Sequence, residues 1–358
     1  MSSTQPADER HAHWLELFFD LTFLAFVVQC ATHLNGAPTW SDFGAFVVLL
    51  VPAWWAWVNV VAANWGEPAD LGTGRVWLQV TISMLGVGLM AAAVPDGLGD
   101  RAWAFAAGSA LIRVVLFVAW WAKTGDQWRP VLICGVTAAL WGASALPVPA
   151  PLRFTLWGIA IGIEVAAIGL VRWERDWLPA QFDGERADRF VVVIFGGAVL
   201  LVAVALDRQW STGGGAVALF GFAAIALLAW SHFTQDAERN WDTSAYVPFV
   251  TVLGLVLFAA GLATAVTRPD DELRAGATAS LAIGLALYFG ANALRSGQSV
   301  RRLMIWAPPA FVLSMSLFGI APLAPATTVA GWAAIVVGVV VLVTEVVERH
   351  VPATQTRV

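Results

Sequence analysis

Long apolar runs, each bounded by polar or turn-forming residues, dominate the chain. A helix needs about 20 apolar residues to cross the hydrocarbon core of a bilayer. Twelve runs approach that length: roughly 14–34, 43–63, 76–94, 102–122, 130–147, 154–172, 189–206, 214–232, 246–266, 276–294, 302–321 and 327–347. The separators are turn punctuation: Asn35-Gly36, Pro95-Asp96-Gly97, Gly213-Gly214-Gly215 and Pro269-Asp270. The period-two alternation of an outer-membrane barrel is missing. The pattern predicts an all-α, polytopic integral membrane protein of about 12 transmembrane helices.

Composition agrees. Of 358 residues, 59% are hydrophobic and 13% charged, against about 45–50% and 25% in soluble domains. The net charge of −5 offers no basic surface for phosphates, which excludes a nucleic-acid partner. Cys30 and Cys134 lie inside apolar runs and read as small buried hydrophobes. The histidines, His11, His13, His33, His232 and His350, have no paired-ligand spacing within one span, so no metal or cofactor is expected. The polar stretch from Met1 to His13 lacks the basic start and cleavage site of a secretory signal, so the first apolar segment is expected to stay in the mature protein.

Charge partitioning tests the division into spans. With the N-terminus inside, the N-terminal arm, the even-numbered loops and the C-terminal tail hold 14 of the 20 basic residues; the other side holds 5, and Arg113 lies within a span. The positive-inside rule then places both termini in the cytoplasm. The charged loop 173–188 separates an N-terminal six-helix half, 1–172, from a C-terminal six-helix half and short tail, 189–358. Transporters often follow a six-plus-six plan.

Ionisable groups inside a span are costly and mark candidate functional sites. Glu16 and Asp20 in the first span are about 40° apart on a helix, and His13 is about 60° from Glu16, so the three form one stripe. The stripe binds a cation, a proton or a polar head group, or it locks helices together. Arg113 in the fourth span and Glu164 in the sixth are at matching depths, as a structural or a substrate-linked pair. Gln79 and Asn292 are milder polar candidates that fit interhelical hydrogen bonds. Glu67 and Asp70, in the loop after the second span, have a loose likeness to carboxylates that hold Mg²⁺ against diphosphates, and they also fit a solvated acidic loop. Trp54, Trp55 and Trp57 suit either a cavity lining or a membrane interface.

The run His13-Trp14-Leu15-Glu16-Leu17-Phe18-Phe19-Asp20-Leu21-Thr22-Phe23 resembles the opening signature of the bacterial low temperature requirement A family. Asn64, Asp70, Arg75, Gln79, Met84 and Arg113 match further positions in order. Glu185-Arg186 followed by Arg189-Phe190-Val191-Val192-Val193-Ile194-Phe195-Gly196 resembles a second signature. The likeness covers most of the chain and weakens after about residue 230. It implies a polytopic inner-membrane protein; the family is named for a growth phenotype. There are departures. The second signature usually ends in Leu-Gly-Glu, but here Gly197 replaces the acid. Tyr246 is kept, whereas the histidine often found near it is not. If those groups carry protons or ligand in relatives, this member has lost or changed that activity.

The two signatures bring His13, Glu16 and Asp20, and Glu185, Arg186 and Arg189, to span starts on one side of the membrane. Arg186 or Arg189 is therefore expected to pair with Glu16 or Asp20. Three functions remain open. An ion- or proton-coupled transporter of a small solute leads, on the spans and in-membrane charges. An integral-membrane enzyme acting on a lipid or isoprenoid would need Glu67, Asp70 and a divalent ion. A non-catalytic membrane factor in cold adaptation would tolerate loss of all these groups. The bilayer is the partner expected in every case.

Overall fold

The structure is a computed structural model, and it describes residues 6–64, 73–122, 128–171, 184–234, 246–295 and 300–350. Their backbone is helical apart from turns and one isolated bridge between Glu272 and Pro325. In lipid each backbone N–H and C=O needs an internal partner, and a helix provides one within the segment.

The elements are α1 (Pro6–Ala31), α2 (Trp40–Asn64), α3 (Thr73–Ala93), α4 (Ala102–Ala122), α5 (Trp128–Ala145), α6 (Ala150–Val171), α7 (Gly184–Arg208), α8 (Thr212–Thr234), α9 (Tyr246–Thr267), α10 (Ala275–Arg295), α11 (Val300–Met315), α12 (Leu317–Ile320) and α13 (Ala326–His350). Among the described residues, eleven spans are long and apolar enough to cross a membrane, α11 and α12 together contributing Leu303–Leu323. The twelfth expected span is α5, which forms as a helix but falls short on composition. Arg129 and Pro130 in its first turn, together with scattered Thr, Ser and Gly, dilute an 18-residue segment.

Local sequence sets several helix starts. Thr39 and Asp42 form a reciprocal cap at α2: the Thr39 N–H and hydroxyl both donate to Asp42 Oδ2 at 2.7 Å. Ser211 Oγ accepts the Gly214 N–H at 2.9 Å and caps α8. Gly36, at φ +82°, makes the turn after α1 in a region that glycine enters without steric cost.

The chain divides into two compact units. The first comprises Met1–Cys30 and Gly44–Phe182, the second Ala31–Phe43 and Asp183–Val358. In the first unit α2 is the most buried span. Its core is aromatic: Phe105 packs on Trp157 at 5.1 Å, and Trp141 on Trp157 at 5.2 Å, between ring centroids. In the second unit α9 is buried along most of its length. It makes its most extensive contact with α10, through glycines. A Cβ on Gly284 would lie 2.5 Å from the Phe258 backbone nitrogen, and one on Gly254 would lie 2.7 Å from the Gly284 carbonyl. Small residues let helix backbones approach this closely where no water drives association. Outward-facing leucines, valines and phenylalanines such as Leu85, Val118, Leu219 and Phe311 are exposed and form the lipid-facing surface.

Candidate functional site

Arg113 and Glu164 are oppositely charged residues of the first unit, and both are buried. α6 is the least buried of the spans, and its inward strip is narrow: Trp157, Ala160 and Glu164, at helical spacing. α4 turns Arg113 inward with Ser109, Ile112 and Leu116. The guanidinium meets the carboxylate side-on. Nε donates to Oε1 at 2.7 Å and Nη2 to Oε2 at 2.8 Å. Nη2 also reaches the Pro52 carbonyl at 2.8 Å, and Nη1 reaches the Ser109 carbonyl at 3.3 Å. Four of the five N–H bonds that a guanidinium carries are thus engaged. The Trp141 ring lies 5.3 Å from its carbon, within cation–π range. Trp157 is held in turn by its indole N–H, which donates to Ser144 Oγ at 3.0 Å.

Asp20 is fully buried on α1 and accepts the Trp57 indole N–H at 2.9 Å. Trp57 stacks on Trp54 at 5.2 Å. Pro52 and Trp57 are five positions apart on α2, so the partners of Arg113 and Asp20 are about 7–8 Å apart along that helix. α2 therefore connects both charged groups. Glu16, about one turn before Asp20 on α1, is half-buried. The side chains of His13, Glu185 and Arg186, and all of Glu67 and Asp70, lie outside the described residues, as does any pairing that involves them. Arg189 is half-buried on α7. Gln79 is half-buried on α3, and its Nε2 is buried without a partner.

The second unit has a charged cluster that the sequence did not announce. Asp188 at the start of α7, His232 at the end of α8 and Arg295 at the end of α10 converge. Arg295 Nη1 lies 3.2 Å from Asp188 Oδ1 and 3.0 Å from His232 Nε2, and Nη2 donates to the His232 carbonyl at 2.6 Å. His232 Nε2 is 3.3 Å from Asp188 Oδ1. Tyr288, about two turns before Arg295 on α10, donates its hydroxyl to the Leu228 carbonyl at 2.7 Å. Phe195, Phe233 and Tyr288 surround the imidazole. Asn292, expected as interhelical glue, is buried here with its Oδ1 unpartnered. Gly197 is buried on α7 and brings no carboxylate to this unit.

The cluster escapes a reading along the chain because its members are 44, 63 and 107 residues apart. The available signal was positional: each lies where an apolar run meets a charge. At the opposite end of this unit an open cavity of about 370 Å³ is lined by Thr264, Arg268, Asp271, Glu272 and Arg274 among others. Among the described residues, no group of three or more His, Cys, Asp or Glu is placed to hold a metal ion.

Comparison with known proteins matches residues 11–344 to the family described as bacterial low temperature requirement A protein (LtrA). The chain belongs to the LtrA family. It is also similar to the uncharacterized protein RA0937 of Rhizobium meliloti (strain 1021), at 24% identity over 265 residues, or 65% of this chain. That stretch spans 64% of the relative's length. No solved structure matches. The LtrA match covers nearly the whole length and names no substrate; the long apolar helices carry the multi-pass membrane architecture.

Proposed function

We propose that this LtrA protein is a proton-coupled secondary carrier of a small anionic solute. It would sit in the cytoplasmic membrane with both termini inside. The supporting observation is the buried Arg113–Glu164 pair, held within the spans by carbonyls and an aromatic face. Ionisable groups at such depth are expensive and concentrate on transport pathways.

The chemistry follows from the pair. While Glu164 is ionised it occupies the guanidinium fork. A proton on Glu164 removes the countercharge, and Arg113 keeps its two carbonyls and the Trp141 face. Its fork is then open to the oxygens of a carboxylate or phosphate-like solute, which suit a planar bidentate donor. Proton and anion thereby enter together, and the net charge buried in the site stays near zero. Asp20, linked to the same helix through Trp57, lies on the route along α2.

The test is anion-dependent proton uptake in proteoliposomes, with a panel of small carboxylates and phosphate under an imposed pH gradient. The reading expects uptake with at least one anion, its loss in a folded Glu164→Gln protein, and a reduced rate in Asp20→Asn. Absence of flux with every anion in reconstituted, folded wild-type protein overturns it.

A further inference from the structure

The guanidinium of Arg295 has no lone pair and can only donate. Its Nη1 lies 3.0 Å from His232 Nε2. That nitrogen therefore accepts, and the neutral ring carries its hydrogen on Nδ1. Asp188 Oδ1, 3.3 Å from the same Nε2, is also an acceptor and makes no bond to it in this state. It takes Arg295 Nη1 at 3.2 Å instead. One ring nitrogen thus has two competing partners of opposite kind.

We infer that Asp188, His232 and Arg295 form a proton-binding site at the α7-start end of the second unit, where a proton added to His232 Nε2 exchanges its partner from Arg295 to Asp188. In the charged state Nε2–H donates to Asp188. Arg295 Nη1 must withdraw from the ring, while Nη2 keeps the His232 carbonyl. Nδ1–H persists in both states. It is a buried donor without a partner, and Asn292 on α10 presents a buried acceptor, Oδ1, likewise without one. The second unit therefore trades one α8–α10 bond for one α8–α7 bond when it takes up a proton.

The titratable groups on the surrounding helices limit what can compete. α7 brings Asp188 and the adjacent Arg189, and α10 brings Tyr288 and Arg295. Tyr246 is the one titratable side chain on α9. On α13, Glu345 accepts the Trp230 indole at 3.0 Å and pairs with Arg349 at 3.6 Å. Trp230 is exposed and two positions from His232, about 160° around α8. The inference does not depend on transport, since a proton site is present whether or not a solute moves.

The experiment is ¹⁵N NMR of histidine-labelled full-length protein in nanodiscs across pH, with His232 assigned by its loss in His232→Gln. The wild-type neutral ring should carry its proton on Nδ1, with Nε2 as acceptor. Proton affinity of His232 should rise at least tenfold in Arg295→Gln and fall at least tenfold in Asp188→Asn. A neutral ring protonated on Nε2 overturns the proposal. So does a titration that neither substitution moves. Should a variant fail to fold, the wild-type tautomer alone decides.

Discussion

Both units bury an arginine against a carboxylate, yet the two arrangements have opposite character. In the first unit Arg113 and Glu164 match two N–H bonds to two oxygens, and two of the three remaining donors reach main-chain carbonyls. Each acceptor takes a separate N–H, so the partners do not compete. In the second unit, Arg295, Asp188 and His232 share one ring nitrogen and one carboxylate oxygen at 3.0–3.3 Å. Nearby, His232 Nδ1 and Asn292 Oδ1 stay unpaired. A saturated pair has one low-energy arrangement and changes only when a proton or a ligand removes a charge. An undersatisfied triad has two arrangements of similar geometry, which is what a switch requires.

The largest effect should come from breaking the saturated pair. Glu164→Ala leaves the guanidinium unpaired inside the spans. Removing one partner of a buried ion pair costs about 3–5 kcal/mol in proteins generally, and an arginine at a helix centre costs about 3 kcal/mol on insertion scales. The two agree on a loss of about 3 kcal/mol, read by denaturant unfolding in micelles. Adding Arg113→Met should recover most of it, since two apolar side chains replace two charges. Asp188→Asn should cost well under half as much, because Arg295 keeps the His232 carbonyl. Equal losses would erase the distinction between the units.

The architecture was legible because lipid simplifies the code. Apolar runs of span length have one backbone solution, and eleven of twelve expected spans meet the requirement outright. α5 shows where the code thins: Arg129 and Pro130 start a helix whose apolar content is marginal, yet it packs between α4 and α6. Arg113 and Glu164 were visible because an isolated charge within an apolar run stands out. The Asp188 cluster was not, because each member lies at a span end, where charges are ordinary. Only the convergence of α7, α8 and α10 gives those residues meaning. Trp57 was legible as an aromatic but not as the donor to Asp20, since that bond links α1 and α2 across 37 residues.

The next effect concerns the platform under the triad. α10 carries Tyr288, Asn292 and Arg295, and its distance from α9 is set by Gly254 and Gly284. In Gly284→Val the new Cβ meets the Phe258 backbone nitrogen, which cannot rotate away. Overpacking of this kind costs about 1–3 kcal/mol. It should also draw Arg295 off His232, so the ring's titration should move toward that of Arg295→Gln. Destabilisation with an unmoved titration would separate the triad from the α9–α10 contact. In the first unit Trp57→Phe deletes the N–H that Asp20 accepts while keeping most of the ring volume. A hydrogen bond to a charged group is worth about 1.5–3 kcal/mol. The lower end, about 1.5 kcal/mol in unfolding, is expected because Asp20 has other interactions.

The smallest effect tests whether the switch can lose a strut and keep its chemistry. Tyr288 donates to the Leu228 carbonyl at 2.7 Å, and this carbonyl faces the N–H of His232 four residues later within α8. Tyr288→Phe removes a donor but strands no acceptor, because the helical partner of that carbonyl remains. Interhelical hydrogen bonds in membranes average about 0.6 kcal/mol, and a loss of that size is expected in unfolding. The His232 tautomer should not change, since Arg295 still addresses Nε2 and still holds the His232 carbonyl. A tautomer that flips in Tyr288→Phe would mean that the phenol, not the guanidinium, sets which ring nitrogen carries the proton.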